Sequence, residues 1–159
     1  MNVMISVQEA KNLVAMHCSP LPPVKVPLEN ALAKVLAEDI RADQDIPGFS
    51  QSAMDGYAFR LEDFKRAHKL KIKGESPAGL SENFELGSSQ AARIFTGAPL
   101  PAGADTVVIQ ENVLIREDQL MINDPLLRSG SNVRPAGSEI KVGSLAMQKG
   151  SVLMPAAIG

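Results

Sequence analysis

Three polar loops hold the side chains best suited to chemistry. The first runs Asp45-Ile46-Pro47-Gly48-Phe49-Ser50-Gln51-Ser52-Ala53-Met54-Asp55-Gly56-Tyr57-Ala58. It gathers the carboxylates of Asp45 and Asp55 with the hydroxyls of Ser50 and Ser52. Asp55 before Gly56 suits a tight turn that leaves its carboxylate free to bind Mg2+ or to accept a proton. The plainer alternative is that Asp55 caps its own turn and Asp45 caps a strand end, since Asp and Gly favour turns for local reasons. The second loop is Thr96-Gly97-Ala98-Pro99-Leu100-Pro101-Ala102-Gly103-Ala104-Asp105. N–H groups around Gly97 and Gly103, with the Thr96 hydroxyl, can line an oxyanion pocket. No Gly-Lys-Ser/Thr follows these glycines, so the loop is not a P-loop. It reads equally as a rigid turn between strands, its prolines lowering the entropy lost on folding. Composition does not separate these readings. The third loop is Asn132-Val133-Arg134-Pro135-Ala136-Gly137-Ser138-Glu139. Arg134 offers a planar fork for phosphate or carboxylate and Glu139 a second hard ligand; the alternative is a surface ion pair worth little.

Other candidates carry less. His17 and Cys18 are adjacent, so on a helix they point apart and make no metal site by themselves. His17 near a helix C-terminus interacts with the dipole. His68 lies in a Lys/Arg-rich stretch that reads as a solvated face, and the scattered Met residues read as core filler.

The elements that must position the loops are short. Ser6-Val7-Gln8-Glu9 has the capping-box form, and Val7, Ala10, Leu13 and Val14 follow at helical spacing. Pro20, Pro22 and Pro23 end that helix. Val24-Lys25-Val26 reads as a short strand. Leu28, Ala31, Leu32, Val35 and Leu36 share one face of a second helix over 28–37. Helices this short need packing partners, so both stripes are expected in a core. Residues 43–60 form a turn-rich stretch with few side chains to fill a core. A helical turn over 62–67, a half-exposed strand over 70–73 and a Pro/Gly/Ser-rich connection over 74–87 follow. Short β runs are expected at 92–95, 106–109, 113–115 and 120–122, with Glu117-Asp118 turning the last two into a hairpin. Runs at 145–147 and 152–154 flank Lys149-Gly150 and suggest a final hairpin. The apolar end, 155–159, reads as a cut at a domain boundary, since termini are usually polar and frayed.

Composition narrows the function. The 159 residues suit one domain or two small ones. With 16 Lys plus Arg against 18 Asp plus Glu, the net charge of −2 lacks the basic excess of a protein that grips nucleic acid or anionic lipid. Five Phe, one Tyr and no Trp supply no stacking platform for single strands. One cysteine, Cys18, excludes an internal disulfide and a Cys-based zinc site, and agrees with a reducing compartment. The first residues lack the features of a secretory signal, and no apolar run is long enough to span a bilayer. A cytoplasmic protein without nucleic-acid or membrane partners is expected.

The loops also carry ordered motifs: Asp45-x-Pro-x-Phe-x-x-Ser-x-Met-Asp-Gly-Tyr-Ala, then Thr96-Gly-Ala-x-x-Pro-x-Gly-Ala-Asp-x-Val-Val, then Val133-Arg-x-x-Gly-x-Glu-Ile. In this order they closely resemble the MoeA family of molybdopterin molybdenumtransferases, which includes the E domain of gephyrin. The resemblance covers essentially the whole chain but only the first part of a family chain. It implies an α+β, mainly β fold: a small helix-containing domain from 1–44 plus 140–159, with an inserted β-rich domain of short coiled sheets, 45–139, that carries the loops. The family's following α/β domain is absent from this chain.

The resemblance further implies insertion of molybdenum from molybdate into adenylylated molybdopterin, with Mg2+, releasing AMP and yielding molybdenum cofactor. Asp55 and Thr96 match catalytic positions. Ser52, Gly97 and Arg134 are expected to bind substrate or phosphate, and Asp55 and Glu139 to bind Mg2+, which folding does not require. Family members often carry Glu-Asp where this chain has Ser138-Glu139. The substrates would be adenylylated molybdopterin and molybdate, the full-length protein a homodimer, and the fragment alone inactive with half a site. A non-catalytic docking module of the same architecture is the alternative. An unrelated β-rich ligand-binding domain would instead place Asp55, Thr96 and Arg134 far apart.

Overall fold

The computed structural model describes residues 4–79 and 85–158. In chain order its elements are α1 (Val7–His17), β1 (Ile40–Arg41), β2 (Gln51–Ser52), β3 (Gly56–Phe59), α2 (Leu61–Ala67), β4 (Leu70–Ser76) and β5 (Gln90–Ile94), then β6 (Thr106–Ile109), β7 (Val113–Arg116), β8 (Gln119–Ile122), β9 (Val133–Arg134), β10 (Leu145–Met147) and α3 (Pro155–Ile158). Strands dominate, which is the α+β, mainly β class expected. The chain forms two compact units, one from residues up to Asp39 and from Met147 onward, the other Ile40–Ala146. Among the described residues no helix is long and apolar enough to cross a membrane.

The larger unit is built on a six-stranded sheet in the order β6-β3-β5-β4-β8-β7. Next to its β6 edge, β3 is hydrogen-bonded antiparallel to β5 on one side and β6 on the other. Every β3 residue is buried. Strand alternation sends Tyr57 and Phe59 to one face, where they pack with Leu61, Leu70, Ala91, Val108 and Leu120. Ala58 goes to the other, with Ile94, Ala98 and Val107. A strand buried on both faces shows no polar/apolar alternation, so residues 56–59 read as part of a loop in the sequence although they are the middle of the core. The β4–β5 pair is parallel, with a bulge between Ile72 and Gly74 that carries β4 on to Ser76. The start of the expected 74–87 connection is therefore strand, while 80–84 lie outside the described residues. The β7–β8 hairpin forms as expected: Glu117 and Asp118 sit at φ 48° and 61°, the left-handed pair of a type I′ turn. Two small pairs complete the unit, β1 with β10 and β2 with β9.

In the smaller unit α1 opens with the expected capping box: Glu9 N–H donates to Ser6 Oγ at 3.2 Å and Ser6 N–H to Glu9 Oε2 at 2.7 Å. Its apolar stripe is not core, contrary to expectation. Val7 is 75% exposed and Met16 71%, so local capping and helical spacing, rather than burial, account for this helix. The second expected helix, over 28–37, does not form. Only Leu28–Asn30 makes a 3-10 turn, after which Ala33 takes φ 60°. Ala33 N–H donates to Leu153 O and Leu153 N–H to Lys34 O, both at 2.8 Å, and Leu36 N–H donates to Ser151 O at 2.9 Å. Pairing with 151–153 outweighs the helical periodicity. The same pairing removes the expected final hairpin, because Val152 bridges to Val35 while β10 joins β1. Residues 24–26 are not a strand.

Candidate active site

The short strand β2 is hydrogen-bonded along both edges. Alternate residues of an extended chain direct their backbone groups to opposite sides. Toward the second loop, Ser52 N–H donates to Ala98 O at 3.0 Å, Gly97 N–H to Ser52 O at 2.9 Å and Leu100 N–H to Ser50 O at 2.9 Å. Toward the third, Gln51 is in register with Arg134 and Ser52 with Val133, and Ala53 N–H donates to Asn132 O at 2.9 Å. The three motif loops are thus laced into one structure.

Asp55 follows β2 and precedes β3. Its Oδ1 accepts the Thr96 amide at 2.8 Å and the Thr96 hydroxyl at 2.9 Å. The Thr96 amide first, then its hydroxyl, with the Arg93 charge adding, holds the Asp55 carboxyl below the ordinary aspartate range; slight desolvation opposes this. Both residues are exposed. Gly56 does not make the tight turn expected of Asp-Gly. It starts a strand, and a Cβ there would lie 1.9 Å from Val108 O. The missing side chain lets β3 close on β6 while Asp55 stays outside. Gly97, at φ 81°, follows Thr96 in a turn closed by Ala98 N–H to Phe95 O at 2.9 Å, which needs a left-handed third residue.

Arg134 and Glu139 also meet, NH1 to Oε1 at 3.8 Å, with side chains 52% and 60% exposed. This is the loose surface pair weighed as the alternative for the third loop. Ser52 and Gly97, expected among the substrate-binding groups, spend their donors inside the chain. The Ser52 hydroxyl, on a buried residue, donates to Met54 O, and the Gly97 amide is bonded to Ser52 O. Asp45 is a cap: its Oδ1 accepts Val142 N–H at 2.8 Å. Asp105 does the same work in the second loop, accepting Leu61 N–H at 2.9 Å and the Thr106 hydroxyl at 2.7 Å. All three aspartates use only Oδ1 among the described residues, but Asp55 alone of them is exposed, Asp45 and Asp105 being half-buried.

Arg93 was not singled out by the sequence reading. It sits on β5 opposite Tyr57, its guanidinium 5.2 Å from the Tyr57 ring centre and 5.0 Å from that of Phe95. NH1 donates to Gly56 O at 3.3 Å and NH2 to Gln110 Oε1 at 2.6 Å. The one available signal was a charge inside the apolar run Ala91-Ala92-Arg93-Ile94. For Mg2+, the donor set is sparse. Among the described residues no three His, Cys, Asp or Glu side chains come together as a cage, and Glu139 leans on Arg134. A single ionised carboxylate fits the usual Mg2+ mode, in which one or two protein carboxylates are joined by waters and substrate phosphates.

An α+β chain with three such loops joined at one strand defines a class, and comparison with known proteins identifies it. Residues 5–159 match the family model described as MoeA N-terminal region (domain I and II), and the chain belongs to that family. A molybdopterin molybdenumtransferase of Haemophilus influenzae is 37% identical over 82% of this chain and 32% of its own length. One from Staphylococcus aureus is 37% identical over 97% of this chain and 38% of its own. The crystal structure of a molybdopterin biosynthesis MoeA protein from Pyrococcus horikoshii matches 98% of this chain and 41% of that one, with TM-score 0.83 and 33% identity. The chain spans about a third to two fifths of the length of the curated relatives it matches.

Proposed function

We propose that this chain is the N-terminal part of a molybdopterin molybdenumtransferase, which transfers molybdenum from molybdate into adenylylated molybdopterin and releases AMP in molybdenum cofactor biosynthesis. The observation that carries the reading is the double-edged pairing of β2, which ties the Asp55–Thr96 pair and the Arg134–Glu139 pair into one unit. Family membership and the names of its relatives support it.

The chemistry suits these groups. Asp55, held ionised, is a hard oxygen ligand or proton acceptor. Thr96 keeps lone pairs and an exposed position while its proton is given to Asp55. Arg134 presents donors to a phosphate or oxyanion and exchanges a weak pair with Glu139 for a substrate contact. Ser52 and Gly97 shape the loop in this reading and do not bind substrate directly. Mg2+, when bound, supplies charge neutralisation at the phosphates, with Asp55 as its protein ligand and Glu139 as a second candidate. The whole protein is a cytoplasmic homodimer, and this chain alone turns over no substrate, because these residues form one wall of the site.

The test is cofactor formation by the whole protein from adenylylated molybdopterin and molybdate. Asp55→Ala is expected to lower the rate about 100-fold or more. Undiminished activity in that variant would remove Asp55 from the chemistry and favour the docking module.

A further inference from the structure

Two successive backbone carbonyls at the Asp55–Gly56 junction are held by neighbouring groups, one by the main-chain amide of Gln110 and the other by the guanidinium of Arg93. Gln110 N–H donates to Asp55 O at 3.1 Å. Arg93 donates to Gly56 O at 3.3 Å and, with its other terminal nitrogen, to Gln110 Oε1 at 2.6 Å. We propose that Arg93 is a positioning residue, which with Gln110 clamps the main chain from which Asp55 reaches Thr96. The proposal rests on the reading above that the Asp55–Thr96 pair is part of the active-site wall.

The clamp has the features of a rigid one. Arg93 is in register with Tyr57, and Phe95 follows two residues on in the same strand direction, so one sheet face carries both rings against the guanidinium. A side chain fixed by two rings and two fork ends has little freedom left, and a lysine cannot reproduce its planar geometry. Among the described residues no ion pair joins Arg93 to Asp55. Its grip on the Asp55 segment is through Gly56 O and through Gln110, and its charge adds only a background field. Thr96 follows Arg93 by three residues, in the turn just after β5, so the clamp ties together the backbone on both sides of the Asp55–Thr96 contact.

The test reads the Thr96 amide by NMR in this chain. In Arg93→Met, Thr96 N–H is expected to lose about 10-fold or more of its protection from hydrogen exchange, together with its carboxylate-bonded chemical shift, while the buried amides of Ala58 and Val107 keep theirs. A Thr96 amide that does not move overturns the proposal. Should Arg93→Met fail to fold, Gln110→Ala, which removes the side-chain oxygen that holds Arg93 NH2 but keeps the Gln110 main-chain bond to Asp55 O and the aromatic stack, is read in the same way. In the whole protein Arg93→Met is expected to lower kcat about 10–100-fold with KM unchanged; a raised KM at unchanged kcat overturns the positioning role. Full activity of Asp55→Ala would sink the functional reading alone, with the Thr96 amide still deciding the clamp.

Discussion

Thr96 gives both its amide and its hydroxyl to a single oxygen of Asp55, across a sequence separation of 41 residues. A carboxylate that merely caps its own turn bonds to amides close by in the chain. Here the donors come from the turn just beyond the end of β5, so the contact exists only once β3 and β5 have paired. The carboxylate is thereby aimed without being buried.

That contact sets a pH dependence. The folded pKa of Asp55 lies below its unfolded value. The stability it contributes is therefore whole above the ordinary aspartate range and is lost as pH falls through the lowered folded pKa. Thr96→Val removes the hydroxyl and keeps the amide, and is expected to return the Asp55 midpoint part of the way upward. Carbon NMR titration of the Asp55 carboxyl in the two proteins checks this; identical midpoints would mean the hydroxyl contributes nothing.

Gly56→Ala should be among the most damaging small changes in the chain. The added carbon would sit 1.9 Å from Val108 O, inside the sheet where neither strand can yield cheaply. A loss of about 3 kcal/mol is expected from overpacking of this kind. Urea denaturation measures it, and a shift below about 1 kcal/mol would show that β6 moves aside.

Arg134→Ala separates stability from function. The pair with Glu139 is long and mostly exposed, so the change in folding free energy should stay within about 0.5 kcal/mol. Affinity of the whole protein for its anionic substrate should fall about 10-fold or more, the size of a hydrogen bond to a charged group. Calorimetry with and without substrate tests both halves.

Glu117 and Asp118 occupy a turn whose backbone suits Asn-Gly. Replacing both, Glu117→Asn with Asp118→Gly, is expected to stabilise the protein by about 1 kcal/mol, because non-glycine residues in the left-handed region carry strain of about 1–2 kcal/mol. Thermal melting of the variant against the parent reads the gain, and a lower midpoint would contradict it.

Much of this was legible in the chain and some was not, for identifiable reasons. The α1 capping box and the β7–β8 hairpin are local signals, and local structure obeyed them. The Asp55–Thr96 pairing was reachable only through the motif resemblance, since spacing alone left both loops ambiguous. β3 was hidden because Gly56, Tyr57, Ala58 and Phe59 are buried on both faces and show no alternation. The 28–37 helix and the last hairpin failed together: Leu36, Ser151 and Leu153 found each other across the chain, and no window of sequence records such a choice. Arg93 carries no motif signal, and a charge within a strand ordinarily points to solvent.

β1 and β10 lie side by side where the larger unit begins and ends, with Gly143 N–H donating to Ala42 O at 2.8 Å and Arg41 NH1 to Gly143 O at 3.0 Å. Entry and exit therefore share one doorway. A segment threaded this way is portable: it can be lifted out, or replaced by another cassette with adjacent ends, while the host chain need only be rejoined across the gap of a single strand pair.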